Sequence, residues 1–302
     1  MSAARRRVIG LALGSGSARG WAHLGVIRAL EEAGIRPDLV CGTSIGALVG
    51  AACAAGELRR LEQWALGLGL RDLVSLMDFR FGNGLLKGDR LMEVLRGHFQ
   101  DRPIEELPMP FGAVATSLRT GAEVWLREGS TLEAVRASIA LPGLFTPVRR
   151  EGAILVDGGL VNPVPVSLAR AMGAEVVIAV DLGADALGRL QRPPPALQVP
   201  AGEVGEWLRK LQEKLGSLVA GDNPEEARMP SLLDVLSASI NIMQVRISRS
   251  RLAGDPPDLL IAPRLAHFGL LDFHRAAEAI EEGRRAVERV ASLLPALRHP
   301  GA

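Results

Sequence analysis

The sequence predicts an α/β protein with a mostly parallel central sheet covered by helices on both faces. Apolar runs of strand length alternate with helical patterns along the chain, which is the order expected of βαβ units. These runs are continuously apolar, as is typical of parallel strands buried on both faces. Hydrophobic residues make up 48% of the 302 residues, which is enough for a sizeable core.

The predicted elements of the first third are, in order: a strand at Val8–Leu13, a Gly/Ser-rich loop at Gly14–Gly20, a helix at Trp21–Ala33, a strand at Asp38–Cys41, and helices at Ile45–Ala55, Leu58–Leu68 and Asp89–Phe99. Those of the middle are strands at 109–118 and 121–126, a helix from Ser130, a strand at 153–157, a helix at Asn162–Gly173 and a strand at Glu175–Asp181. Gly34 is a helix C-cap, and Ser130 with Glu133 forms a capping-box pattern.

We expect residues 1–302 to form a single domain. Between 184 and 231 the composition shifts to Pro-rich and polar stretches around an amphipathic helix at Glu203–Val219. We interpret this segment as an insertion or lid. Residues 232–302 are predicted to extend the same domain with helices and a strand: Ser231–Ser250, Asp258–Pro263 and Asp272–Leu294.

Composition argues against several classes of protein. Lys and Arg total 35 and Asp and Glu total 34, so a net charge of +1 offers no general attraction for nucleic acid. Two cysteines are too few for a disulfide framework. The N-terminal apolar run is shorter than that of a signal peptide, and no run approaches the ~20 residues that span a bilayer. We therefore expect a cytoplasmic protein that is at most peripheral at the membrane; nothing in the sequence indicates its oligomeric state.

The stretch "DLVCGTSIGALV" contains Gly-x-Ser-x-Gly between a strand and a helix, the pattern of a nucleophile elbow. The turn strains the backbone at Ser44, so the flanking Gly42 and Gly46 must be small. The following helix, which begins at Ile45, directs free N–H groups and its positive dipole end toward the reacting centre. The competing interpretation is a serine that only caps a buried helix.

The loop "GSGSARG" joins the first strand to the first helix, and its backbone N–H groups could bind an anion. In a serine hydrolase that anion is the tetrahedral oxyanion, with each donor contributing about 3 kcal/mol. A dinucleotide site is the rival interpretation. It requires an acidic residue at the end of the next strand, where this sequence has Cys41 to Ser44.

In "AILVDGGLVNPVPV", Asp157 ends a strand and Gly158-Gly159 allows a sharp turn. If this strand is parallel to its neighbours, Asp157 shares the sheet edge that carries Ser44. An aspartate before glycine is otherwise typical of an ordinary turn.

Together, the Gly-rich loop Ser15–Gly20, the elbow Gly42–Gly46 and Asp157-Gly158-Gly159 resemble the patatin-like phospholipase family. The stretch "SIALPGLFTPV" (Ser138–Val148) supports the resemblance, which covers roughly residues 7–185 and is closest to bacterial single-domain members. It implies a patatin-like three-layer fold related to the α/β-hydrolases.

The resemblance also implies a Ser–Asp dyad in which Ser44 is the nucleophile and Asp157 the base. The expected oxyanion donors are Gly16, Ser17, Ala18 and Ile45. Arg19 and Gly20 match the family's loop pattern, but two of that loop's glycines are replaced by Ser15 and Ser17. These changes keep the backbone N–H groups. Gly42, Gly46, Gly158 and Gly159 are expected to support the turns.

The implied function is hydrolysis of lipid carboxylic esters, phospholipid or lysophospholipid, through an acyl-enzyme. This chemistry requires no metal or organic cofactor. The expected partner is an acyl-ester substrate. The amphipathic helix of the 184–231 segment is expected to pack on the sheet, and a transient membrane contact of this segment is the alternative. The alternatives are a low-turnover lipid-binding or regulatory protein on the same fold and, with less support, a nucleotide-binding protein. His23, next to the Gly-rich loop, is the rival base.

Overall fold

The structure is a computed structural model that describes residues 6–69, 72, 88–185 and 232–297. Its strands are β1 (Ile9–Leu13), β2 (Leu39–Thr43), β3 (Phe111–Ser117), β4 (Glu123–Leu126), β5 (Val148–Arg150), β6 (Ala153–Asp157), β7 (Val176–Val180) and β8 (Leu259–Ile261). Its α-helices are α1 (Ala22–Glu32), α2 (Ile45–Ala54), α3 (Leu58–Gly67), α4 (Asp89–His98), α5 (Thr131–Ser138), α6 (Val166–Ala171), α7 (Leu232–Gly254) and α8 (Ala276–Glu288).

The strands form one mixed sheet with helices on both faces, which confirms the predicted fold class. The strands β3, β2, β1, β7 and β8 run parallel to one another, whereas β4 and β6 are antiparallel to β3, and β5 is antiparallel to β6. Along β1, Leu11 and Leu13 belong to one hydrophobic cluster and Ala12 to another. Since successive strand residues point to opposite faces, a core lies on each side of the sheet.

The two cores are covered by different helices. Side chains of α1, α2 and α3 pack in the larger cluster, and α6 contributes to the smaller one. The C-terminal residues belong to the same body, because β8 pairs with β7 and α8 packs along α1.

The strands β2 and β6 meet end to end along one edge of β3. Ala113 and Val114 of β3 pair with β2 and with β4, whereas Ala115 pairs with β6 and with β4. A strand has only two edges, so β4 occupies one edge while β2 and β6 share the other. Because β2 is parallel and β6 antiparallel to β3, their carboxyl ends face each other at neighbouring positions.

Several predicted elements differ from the structure. The strand β5 was not expected, and the helix predicted at Asn162–Gly173 is confined to α6. The last helix is preceded by a 3₁₀ turn at Phe273–Arg275 and ends at Glu288. Residues 186–231, with most of the predicted lid and its amphipathic helix, lie outside the described residues. Within the described part of the chain, no helix is both long and apolar enough to cross a membrane.

Candidate active site

Ser44 lies at the carboxyl end of β2, immediately before α2, in a strained backbone conformation. Its φ is 57° and its ψ is −124°, a combination that costs a non-glycine residue about 1–3 kcal/mol. The sharp turn brings backbone segments very close together. A Cβ on Gly42 would lie 2.2 Å from the Gly46 carbonyl oxygen, and a Cβ on Gly46 would lie 2.2 Å from the Leu13 carbonyl oxygen. Glycine at both positions is therefore required by this turn.

Asp157 ends β6 and is fully buried. The Ser44 hydroxyl donates a hydrogen bond to Asp157 Oδ2 at 2.6 Å, and the Gly159 N–H donates to Asp157 Oδ1 at 2.7 Å. No other side chain lies between the serine hydroxyl and the carboxylate. The two oxygens meet because β2 and β6 end facing each other, not because their strands run parallel, as the sequence analysis assumed.

Burial raises the pKa of Asp157 to about 6, and the hydrogen bonds from Ser44 and Gly159 act in the opposite direction. The ordinary value is 3.8. A carboxylate with this pKa is still largely ionised at neutral pH and is a better proton acceptor than an exposed aspartate.

The Gly-rich loop runs into a 3₁₀ turn, Ser17–Trp21, beside the N-terminus of α2. Gly16, Ser17 and Ile45 line the same cavity as Ser44. Within the described part of the chain, no acceptor is found for the backbone N–H groups of these three residues. All three residues thus adjoin the space into which Ser44 opens.

Ala18 differs from the other predicted oxyanion donors. Its N–H donates to the Leu270 carbonyl oxygen at 3.3 Å, and the Ser17 hydroxyl donates to the same oxygen at 2.6 Å. Ala18 is fully buried and is not part of the cavity wall. The segment between β8 and α8 thus holds the loop by its backbone carbonyl.

Arg19 braces the Gly-rich loop from inside the protein. It is buried, and it donates through Nε to the Gly16 carbonyl at 3.2 Å and through Nη2 to Asn241 of α7 at 3.0 Å. Burial lowers the pKa of Arg19, while the nearby carboxylates of Asp185 and Asp181 act in the opposite direction. Its contacts are those of a support for the loop.

The predicted supporting glycines lie where backbone or side chains approach closely. Gly20 packs against the Ile45 side chain, and Gly158 lies against the Val114 carbonyl. Gly159 carries the N–H that binds Asp157 and faces the amide of Gln244.

The rival base, His23, is fully buried and binds the backbone of the loop after β1. Its Nε2 is 2.8 Å from the Gly14 carbonyl oxygen. A carbonyl can only accept, so Nε2 carries the proton. Burial lowers the pKa of His23 to about 4, which leaves the ring neutral. His23 therefore supports the loop after β1.

Sequence reasoning did not assign a role to Ser138, which lies at the end of α5 and is fully buried. The Ser44 N–H donates to the Ser138 hydroxyl at 2.9 Å, and that hydroxyl donates to the Val114 carbonyl at 2.6 Å. The only available signal was the stretch "SIALPGLFTPV", which was recognised as a whole and not residue by residue.

Ser44 opens into a cavity of about 120 Å³ with mainly apolar walls. Residues from seven parts of the chain contribute, among them Leu48, Trp64, Ile139, Phe145, Ile240 and Phe273. Trp21 also lines the cavity, and its ring makes edge-to-face contacts with Trp64 and Phe273, with ring centroids 5.9 Å apart in each pair. An acyl chain fits the chemistry of such walls.

The chain belongs to the patatin-like phospholipase family, whose model matches residues 11–170. It is 33% identical to an uncharacterized NTE family protein of Mycobacterium tuberculosis over 91% of this chain and 89% of that protein. It is 38% identical to patatin-like phospholipase domain-containing protein 6 of Homo sapiens over 58% of this chain, but only 13% of that protein. Membership of this family indicates a lipid acyl hydrolase.

The fold is also similar to that of a solved structure. VipD from Legionella pneumophila matches with a TM-score of 0.54 over 96% of this chain and 67% of that chain. The sequence identity is 15%, so this likeness concerns the fold alone.

Ser17 provides a test of how the loop is held. Its φ of 51° favours glycine, and its hydroxyl binds Leu270. Ser17→Ala removes the hydrogen bond and keeps the strain, so we expect it to lower the free energy of unfolding by roughly 1 kcal/mol. Ser17→Gly loses the same bond but relieves the strain and should lie closer to the wild type. Urea denaturation gives the free energies of unfolding of the wild type and the two variants. A Ser17→Ala variant as stable as the wild type would contradict a stabilising role of the Ser17–Leu270 hydrogen bond.

Asp157 is expected to reduce stability at neutral pH. The folded protein holds its proton more tightly than the unfolded chain, so the free energy of unfolding falls as pH rises from 3.8 to about 6. The full cost is about 3 kcal/mol above that range. Asp157→Asn keeps the shape without the charge and should be more stable near pH 8, with the difference shrinking near pH 4. Urea denaturation at both pH values checks this; a gain that is independent of pH would contradict it.

Proposed function

We propose that this protein is a serine acyl hydrolase that cleaves carboxylic esters of lipids through an acyl-enzyme, with Ser44 as nucleophile and Asp157 as base. The observation that carries the proposal is the direct 2.6 Å hydrogen bond between the strained serine hydroxyl and the buried carboxylate. Family membership supports the general class of reaction. The geometry supports Ser44 and Asp157 as the reacting pair.

In the first half of the reaction, Ser44 Oγ attacks the ester carbonyl carbon while its proton passes to Asp157 Oδ2. The carbonyl oxygen becomes an oxyanion, which the N–H groups of Gly16, Ser17 and Ile45 can bind. The N-terminal end of α2 adds its positive dipole at the same point. When the tetrahedral intermediate collapses, protonated Asp157 returns the proton to the departing alkoxide and the acyl group remains on Ser44.

In the second half, Asp157 accepts a proton from a water molecule that attacks the acyl-enzyme. The same donors bind the second oxyanion, and the acid is released as Ser44 regains its proton from Asp157. One group thus acts alternately as base and acid. A pKa near 6 suits both roles, because it lies close to the working pH.

The substrate class follows from the cavity walls. Leu48, Trp64, Phe145 and their neighbours provide an apolar surface for an acyl chain next to Ser44. Phospholipids and lysophospholipids remain the proposed substrates within this class. Contact of the 184–231 segment with a membrane surface stays a prediction.

One observation favours the second candidate, a low-turnover lipid-binding or regulatory protein. The Leu270 carbonyl binds both the Ser17 hydroxyl and the Ala18 N–H, so one of the expected oxyanion donors is already engaged. If turnover requires Ala18, the segment around Leu270 must first move. If the N–H groups of Gly16, Ser17 and Ile45 are enough to bind the oxyanion, this segment can stay in place.

We expect Ser44→Ala and Asp157→Asn each to lower kcat for a p-nitrophenyl acyl ester by at least about 10³-fold, because nucleophile and base act as one unit. The measurement is initial rates of ester and lysophospholipid hydrolysis, with circular dichroism to show that each variant is folded.

A fluorophosphonate probe followed by peptide mass spectrometry separates the candidates. Modification at Ser44, absent from Ser44→Ala, supports the hydrolase. An unmodified wild type that still binds lipid supports the second candidate. Full activity in either variant would refute the dyad.

A further inference from the structure

We infer that Ser138 is a positioning residue for the dyad, and that its hydroxyl fixes the nucleophile by bridging the gap between two strand ends. The inference rests on the proposed function of Ser44 and Asp157. Ser138 does not line the cavity and is fully buried, so it acts through Ser44 and not on the substrate.

The gap arises where β2 leaves the edge of β3. Thr43, the last residue of β2, pairs with Val114, and the next position of β3, Ala115, already pairs with β6. Ser44 follows the last paired residue of β2. The Ser138 hydroxyl accepts from this N–H at 2.9 Å and donates to the Val114 carbonyl at 2.6 Å. A single hydroxyl therefore replaces the missing strand partner of both groups.

The same short segment also holds the base. Two residues after Ser138, the Ala140 carbonyl accepts a hydrogen bond from the Asp157 N–H at 2.9 Å. Ser138 thus fixes the backbone of the nucleophile, and Ala140 fixes the backbone of the base. Ile139, between them, lines the cavity beside Ser44. The separation of the dyad is set by one stretch of three residues.

Loss of the Ser138 hydroxyl leaves the Ser44 N–H and the Val114 carbonyl without these partners. A buried unpaired polar group is unfavourable, so the backbone at Ser44 should shift toward another partner or admit water. A shift near 1 Å at a reacting group can cost about 10²-fold in rate. We expect binding of the acyl chain in the cavity to depend much less on this contact.

The test compares Ser138→Thr with Ser138→Val, which have the same shape and differ in the hydroxyl. We expect Ser138→Thr to retain most of the wild-type kcat and Ser138→Val to lose about 10²-fold, with KM within about twofold in both. Phosphonylation of Ser44 by a fluorophosphonate should slow by the same factor, since it reports the nucleophile without the lipid. Equal kcat in the two variants would overturn the inference.

Ser130→Ala is the matched control for stability. Ser130 caps the other end of α5 by accepting from the Glu133 N–H at 3.0 Å, far along the helix from the dyad. If the added methyl groups prevent folding, Ser138→Ala is compared with Ser130→Ala, with rates normalised to the folded fraction. A lower kcat in Ser138→Ala alone supports the inference, and equal rates overturn it. In either case a wild type that fluorophosphonate does not modify would instead refute the proposed function.

Discussion

The site depends on one hydrogen bond between a strained serine and a buried carboxylate. The backbone of Ser44 is strained, and burial raises the pKa of Asp157 to about 6. Each feature is unfavourable for folding by itself. Strain and a buried charge are retained at functional sites when the surrounding structure determines them, and here the glycines of the elbow and the Gly159 N–H do so.

The sheet provides this geometry through an unusual arrangement of strand ends. In a purely parallel sheet, two neighbouring strand ends present loops side by side. Here β2 and β6 approach each other along one edge of β3, so a serine and an aspartate meet directly. In the proposed dyad, no imidazole is then needed to span the distance. The Ser138 hydroxyl bonds to the Ser44 N–H and the Val114 carbonyl at the point where the ladder is interrupted.

The C-terminal part of the chain supports the site through contacts with the Gly-rich loop. Leu270 binds the Gly-rich loop by its carbonyl, and Asn241 of α7 binds Arg19. Gln244 of the same helix lies within 3.3 Å of the Ser15 hydroxyl. The two serines that replace the family's glycines in this loop therefore make contacts of their own with the C-terminal part of the chain.

The sequence was sufficient for the fold class and for the positions of Ser44 and Asp157, because each carries a local pattern: small residues around a turn, or an acid followed by two glycines. The direction of β6 has no such pattern, since a short apolar strand looks the same in either orientation. The contact between Ser138 and Ser44 joins residues 94 positions apart, and that between Leu270 and Ser17 joins residues 253 positions apart. The spacing of residues along the chain does not encode them.

The proposed dyad is tested most directly by the pH dependence of the rate at which a fluorophosphonate modifies Ser44. If Asp157 is the only base, the rate constant should rise through about pH 6 and level off above it, because the carboxylate must be ionised to accept the serine proton. His23→Ala should leave the position of this bend unchanged. A rate that does not vary between pH 5 and 8, or a bend that persists in Asp157→Asn, would contradict it.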